Sequence, residues 1–276
     1  MKSLIRSSLI LLGLLILAHY LPDEPLDPWN AIGPKKIVTL ITAISFIQLL
    51  GAWFIEKFGL KKGAVLTGFL GGLVSSTAVV TEVARTSKDQ PGQSTAQILT
   101  IIAATIAMEI VGVFIIFLGS EDLHYPLLLI LLAPVVSAIL MILFESRGDR
   151  GQELIPLHQK FEIVHVLKLT AFIVVTILVS KASQSYFAAG SAKVLTFVVS
   201  MFEMHGSLVA NLQLHDAGSF DVQELGEMFA ISVLASFVSK LFIVIAMGSR
   251  ELKVKVLRYT IVSIFFVAAG WFTFRQ

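Results

Sequence analysis

The sequence predicts an all-α integral membrane protein of about nine transmembrane helices, and three observations predict it. Hydrophobic residues make up 56% of the 276 and charged residues only 14%, against roughly 25% charged in a soluble domain. Apolar runs recur along the chain, each about eighteen residues or longer and able to cross about 30 Å of hydrocarbon as a helix. The charges that exist cluster between those runs. The lipid bilayer is therefore the expected solvent and first partner, in the cytoplasmic membrane of a prokaryote.

The first span is Leu4 to Leu21. Lys2 and Arg6 ahead of the run Leu9 to Leu17 imitate a signal peptide. The run ends in Ala18, His19 and Tyr20, with no small-x-small cleavage site, so a retained first helix fits better. Ile37 to Ile55, Ala64 to Ala84, Ile98 to Leu118 and Tyr125 to Phe144 follow. Ile163 to Val179, Val194 to Leu212, Phe229 to Met247 and Val256 to Phe274 complete the set. Proline, glycine and charge mark the connections: Pro22 to Lys36, the Lys61-Lys62 step, Lys88 to Gly92, Glu145 to Glu162 and the Arg250 to Arg258 cluster. None is long enough for a soluble domain, so residues 1–276 read as one polytopic unit.

Nine crossings put the termini on opposite sides. One side would then hold eleven basic residues, Lys2, Arg6, Lys57, Lys61, Lys62, Lys181, Lys193, Arg250, Lys253, Lys255 and Arg258. The other would hold eight, Lys35, Lys36, Arg85, Lys88, Arg147, Arg150, Lys160 and Arg275. The excess favours a cytoplasmic N-terminus.

A net charge of +2, with no basic patch interleaved with aromatics, excludes nucleic acid as a partner. The absence of cysteine removes disulfides, thiolate nucleophiles and cysteine metal sites. HExxH, GxSxG, P-loop and zinc-spaced clusters are absent, so no enzyme, no catalytic residue and no cofactor is expected.

An internal repeat emerges when the spans are laid side by side. GFLGGLVSSTAVV from Gly68 leads through a polar loop to a helix ending FLGSEDL, and FVVSMFEMHGSLV from Phe197 leads through an acidic loop to one ending AMGSREL. Ser75 pairs with Glu203 at an offset of 128, and Ser120 with Ser249 at 129. A first helix, 1–22, followed by two four-helix halves, 37–145 and 162–274, is the simplest arrangement. Four intervening crossings make the repeats parallel unless one segment is re-entrant.

Polar groups inside apolar spans are the candidates for function, because a mid-membrane carboxylate costs roughly 2.5–3.5 kcal/mol on insertion scales. Gly71 and Gly72 followed by Ser75, Ser76 and Thr77 suit either close helix packing or a broken helix whose hydroxyls line an ion site. Glu203 and His205 stand beside Gly206 at the repeat positions of Ser75 and Thr77. Residues two apart cannot share one helix face, so either the helix unwinds at Gly206 or the two groups serve different neighbours. Glu109, Lys240 and, one turn before it, Ser236 complete the set, with a Glu109–Lys240 ion pair between helices as the structural alternative. Whether any of these residues binds a metal is left open.

LPDEPLDPWNAIGPKKIVTLITAISFIQLLG and KFGLKKGAVLTGFLGGLVSSTAVVTEVART, with SMFEMHGSLVANL and SVLASFVSKLFIVIAMGSREL further on, resemble the domain of unknown function, family 4010, that accompanies MgtC/SapB membrane proteins. The resemblance covers nearly the whole chain, and GGLVSSTAV is its most specific piece. In that family the second motif is an aspartate-x-aspartate pattern after a glycine. Here Glu203 and His205 occupy the aspartate places, Ser200 stands for the glycine and Ser236 for an asparagine before the lysine. Glu109 lies near where a basic residue is expected. If the aspartates bind a cation in relatives, the resemblance implies an altered ion or affinity here. The SSTAVV stretch is also similar to one in the discontinuous helices of Kef-type cation:proton antiporters.

Two functions follow as expectations. The first is a transporter or channel for a small ion, a cation with possible proton coupling, with a homodimer as a possible assembly. Glu203 would be the ligand, Ser75, Ser76 and Thr77 would supply oxygens, and His205 would titrate near neutral pH. The second is a non-transporting regulator or scaffold of the MgtC-associated type.

Overall fold

In hydrocarbon no water satisfies a backbone N–H or C=O, so apolar runs of this length resolve into helices that hydrogen-bond internally. The computed structural model describes residues 2–58, 63–90, 92–120, 125–146, 163–186 and 191–275. Among them lie α1 (Lys2–Tyr20), α2 (Pro34–Phe58), α3 (Ala64–Thr86), α4 (Ser94–Gly119), α5 (Tyr125–Glu145), α6 (Ile163–Tyr186), α7 (Ser191–Phe202), α8 (Met204–Asp216), α9 (Val222–Met247) and α10 (Arg250–Arg275), with no strand among the described residues. Six of them, α2, α3, α4, α5, α9 and α10, are long and apolar enough to cross a membrane. The chain is a membrane protein.

Its packing is that of a body in lipid. α4 lies at the centre, with Ile98, Ile102, Ala104 and Ile116 fully buried, and packs against α2, α3, α5, α8 and α10. Large apolar side chains instead cover the outside, among them Leu12 and Leu15 of α1, Leu140 and Phe144 of α5, and Ile261 and Phe265 of α10. Water would not tolerate that much contiguous apolar surface, whereas acyl chains do.

The third and seventh of the expected nine crossings do not run from end to end. In α3, Gly68 faces the backbone of Thr100 and Gly72 that of Ala104, so this first part advances parallel to α4. Thr100 Oγ1 also donates to Ala64 O at 3.4 Å. A straight 23-residue helix is about 34 Å long. Placed antiparallel to α4, it would start beside the far end of α4 rather than beside Thr100. The chain instead reverses at Ser75, whose backbone is extended (φ −165°, ψ 106°), and returns to the end it came from. There Ser249 N–H donates to Ser87 Oγ at 2.8 Å, and Lys255 Nζ reaches Thr95 Oγ1 and Glu145 Oε2.

The seventh span is two helices, α7 and α8, and it breaks at Glu203 rather than at Gly206. Glu203 is extended (φ −149°, ψ 99°). Thr196, seven residues before it, lies 3.5 Å from Asn211, eight after it, so the two helices fold back on each other. Lys193 at the start of α7 pairs with Glu227 near the start of α9, and Asp216 at the end of α8 pairs with Lys36 at the start of α2. This hairpin therefore enters from the end of the bundle opposite to that used by α3.

Candidate functional site

Both reversals expose helix ends, and in each the residue at the break caps the helix that follows. Ala78 N–H donates to Ser75 Oγ at 3.2 Å, and His205 N–H donates to Glu203 Oε1 at 3.1 Å. A side-chain acceptor at this position satisfies one of the N–H groups that a helix start leaves without an internal partner. Ser75 and Glu203, the pair related by the 128-residue offset, thus share one backbone conformation and one local role.

The two tips meet in a cavity of about 40 Å³ at the level of Met108, midway along α4. Gly72 to Thr77 line it from one hairpin and Ser200 to His205 from the other, with Gln48, Met108, Val111, Ser236, Ser239 and Lys240 closing the sides. Of the eight residues singled out by sequence, Ser75, Ser76, Thr77, Glu203, His205, Ser236 and Lys240 come together here. The Glu203 side chain is 40% exposed, opening onto this space, and the His205 side chain 14%. A cavity of this size has room for water or one small ion.

His205 is held from both sides. Its Nε2 lies 3.0 Å from Met108 O, and a carbonyl only accepts, so Nε2 carries a proton. Nδ1 then faces Glu203 Oε1 at 3.5 Å. The imidazole links the tip of one hairpin to the central helix.

Two expectations change. Glu109 is 1% exposed and does not line the cavity, and neither of its oxygens has a hydrogen-bond partner. Lys240 spends its contacts elsewhere than on Glu109: Nζ donates to Ser236 Oγ at 2.6 Å and to Met108 Sδ at 3.0 Å. Ser236 is thereby occupied as the acceptor for the ammonium. Gln48, Met108, Ser200 and Ser239 also line the site and were not among the candidates. Gln48, polar inside the apolar α2, carries the same sequence signal as Glu203 or Lys240. Ser200 is 2% exposed and its Oγ has no hydrogen-bond partner.

Residues 42–248, three quarters of the chain, match the family described as Domain of unknown function (DUF4010). The chain belongs to that family. The matched stretch contains both hairpins and every residue that lines the cavity. No curated protein and no solved structure matches the chain.

Proposed function

We propose that this protein transports a small ion, as a secondary transporter or channel with seven crossing helices, α1, α2, α4, α5, α6, α9 and α10, and two re-entrant hairpins. The observation that carries the reading is the meeting of the two broken tips, Ser75 and Glu203, in one polar cavity at mid-depth. Repeats that bring discontinuous helices together at the midplane are the architecture of many secondary transporters, which expose such a site to one side at a time.

In this reading 37–145 and 162–274 are inverted copies. Three crossings, α4, α5 and α6, separate the hairpins, and an odd number makes them enter from opposite faces. Met108 and Ser236 are 128 residues apart, the offset of the tips, and touch through Sδ and Oγ at 3.1 Å. Ser137 and Ser263, 126 apart, hydrogen-bond at 3.1 Å. Equivalent residues that touch each other lie on a pseudo-two-fold axis, here passing through the bundle centre.

The basic residues support the same topology. Assigned by the crossings they flank, Lys2, Arg6, Lys57, Lys61, Lys62, Arg85, Lys88, Arg147, Arg150, Lys160, Arg250, Lys253, Lys255 and Arg258 fall on one side, fourteen in all. Lys35, Lys36, Lys181, Lys193 and Arg275, five in all, fall on the other. Fourteen against five is a steeper bias than eleven against eight, and it makes the α3 side cytoplasmic.

Reconstitution into proteoliposomes with a panel of small ions and an internal pH dye tests the proposal. Flux of at least one ion that is lost in Glu203→Gln is the expected result. No flux of any ion leaves the regulator or scaffold role.

A further inference from the structure

Lys240 has no task yet in the transport reading, on which this inference rests. It is 4% exposed, in the cavity wall, and its two hydrogen-bond partners are a hydroxyl and a thioether. Neither carries charge, so neither compensates an ammonium. The carboxylates whose charge reaches it are Glu109 from α4 and Glu203 from the α7–α8 hairpin. Among other titratable groups, His205 shares the tip with Glu203, and Tyr259 of α10 stacks edge-on against Phe237, three residues before Lys240. α3 brings only hydroxyls to this level. Of the two carboxylates, only Glu203 opens onto the cavity. One carboxylate in a space of about 40 Å³ therefore has two claimants, the tethered ammonium and any free cation that enters.

We infer that the transported ion is a monovalent alkali cation and that it exchanges with a proton carried by Lys240. The cation binds at Glu203 as Lys240 changes from NH₃⁺ to NH₂, the N–H bond breaking and the proton passing to water. The cation leaves as Lys240 takes a proton back. The charge of the site is the same in both states, so one cation moves against one proton. The valence follows from the lining. A divalent ion draws several carboxylates, yet Glu203 is the single carboxylate in this wall, and no three His, Cys, Asp or Glu converge anywhere among the described residues. Ser200 Oγ, buried, without a hydrogen-bond partner and set in the cavity wall, is a neutral oxygen available to such an ion, beside the hydroxyls of Ser76 and Thr77.

The test is made on the purified full chain in detergent, lightly buffered with a pH dye, as sodium or potassium chloride is added. One proton is expected per cation bound, and apparent affinity should rise about tenfold per pH unit while Lys240 is charged. Lys240→Met should bind the cation without releasing protons and with a flat pH profile. In proteoliposomes it should carry cations down their own gradient but ignore a pH gradient. Lys240→Arg, which keeps its charge at any accessible pH, should lose cation binding. If Lys240→Met does not fold, proton release by the unaltered protein, by His205→Gln and by Lys240→Arg decides the matter. Release that survives in His205→Gln and is lost in Lys240→Arg supports Lys240, and release lost in His205→Gln or kept in Lys240→Arg overturns it. Cation binding without proton release overturns the exchange while leaving transport standing. Neither binding nor flux with any cation overturns both readings.

Discussion

Gly72→Ala probes the α3 hairpin at one of its closest contacts. A Cβ added at Gly72 would lie 2.5 Å from Ala104 Cα and 2.6 Å from Ala104 O. Non-bonded carbons settle at about 3.5–4.0 Å, so the first half of α3 must withdraw from α4 by about 1 Å. Both obstructing atoms are backbone, and no side chain can rotate aside. Overpacking of this kind costs about 1–3 kcal/mol. For a chain of this size each kcal/mol lowers the melting temperature by about 2–4 °C, so the expected fall is about 2–12 °C. The withdrawal also carries Ser75, Ser76 and Thr77 away from Glu203, so flux should fall together with stability. Gly13 of α1 is the control, because an added Cβ there meets nothing within 4 Å. Gly13→Ala should stabilise by about 0.5–1 kcal/mol through the helix preference for alanine. Thermal unfolding followed by tryptophan fluorescence in detergent, together with flux in proteoliposomes, reads both variants. A Gly72→Ala protein that melts and transports like the unaltered chain would refute the close approach. So would a Gly13→Ala protein that loses as much.

Three other outcomes follow from particular contacts. The chain has no cysteine of its own, so single cysteines at Lys193 and Asp216 can be labelled with a membrane-impermeant thiol reagent. Both should react from the same side of intact cells, and labelling from opposite sides would mean that α7 and α8 form one crossing. Glu203→Gln keeps an oxygen to accept from His205 N–H, so melting should stay within about 2 °C. Loss of charge-assisted contacts worth about 1.5–3 kcal/mol should weaken ion binding about ten- to hundredfold, and undiminished flux would remove Glu203 from the site. Glu145, with its side chain 7% exposed, joins the end of α5 to α10 through Lys255 at 2.8 Å and Arg258 at 3.0 Å. Because Arg258 is 46% exposed, Glu145→Gln should cost about 1–3 kcal/mol, less than for a fully buried pair. An unchanged melting temperature would show that the clamp contributes nothing.

The helices, their order and the polar positions were legible in the sequence because hydropathy reports burial in lipid directly. The 128-residue offset set Ser75 beside Glu203, but the break expected at Gly206 lies at Glu203. A serine side chain competes for backbone N–H groups, and at the second break Glu203 does the same. The partner of Lys240 was not legible. A sequence presents Glu109 and Lys240 as complementary charges, but only packing decides that Met108 and Ser236 stand at the ammonium instead.

The reversals were hidden for a reason of length. α7 has 12 residues and α8 has 13, each about 18–20 Å long and too short to cross about 30 Å of hydrocarbon. End to end they match the 26 residues of the crossing helix α9. α3 repeats the ambiguity, since its 23 residues also suffice for a crossing. Hydropathy sums apolar residues without regard to direction, so a hairpin and a single span give it the same signal. Charge does not share this blindness. A hairpin returns its flanking lysines and arginines to one face, and in the proposed topology counting both breaks as reversals raises the bias from eleven against eight to fourteen against five. The weak asymmetry of the nine-crossing reading is thus what the proposed re-entrant topology would produce. The polar residues Ser75 and Glu203 stand where the segments turn.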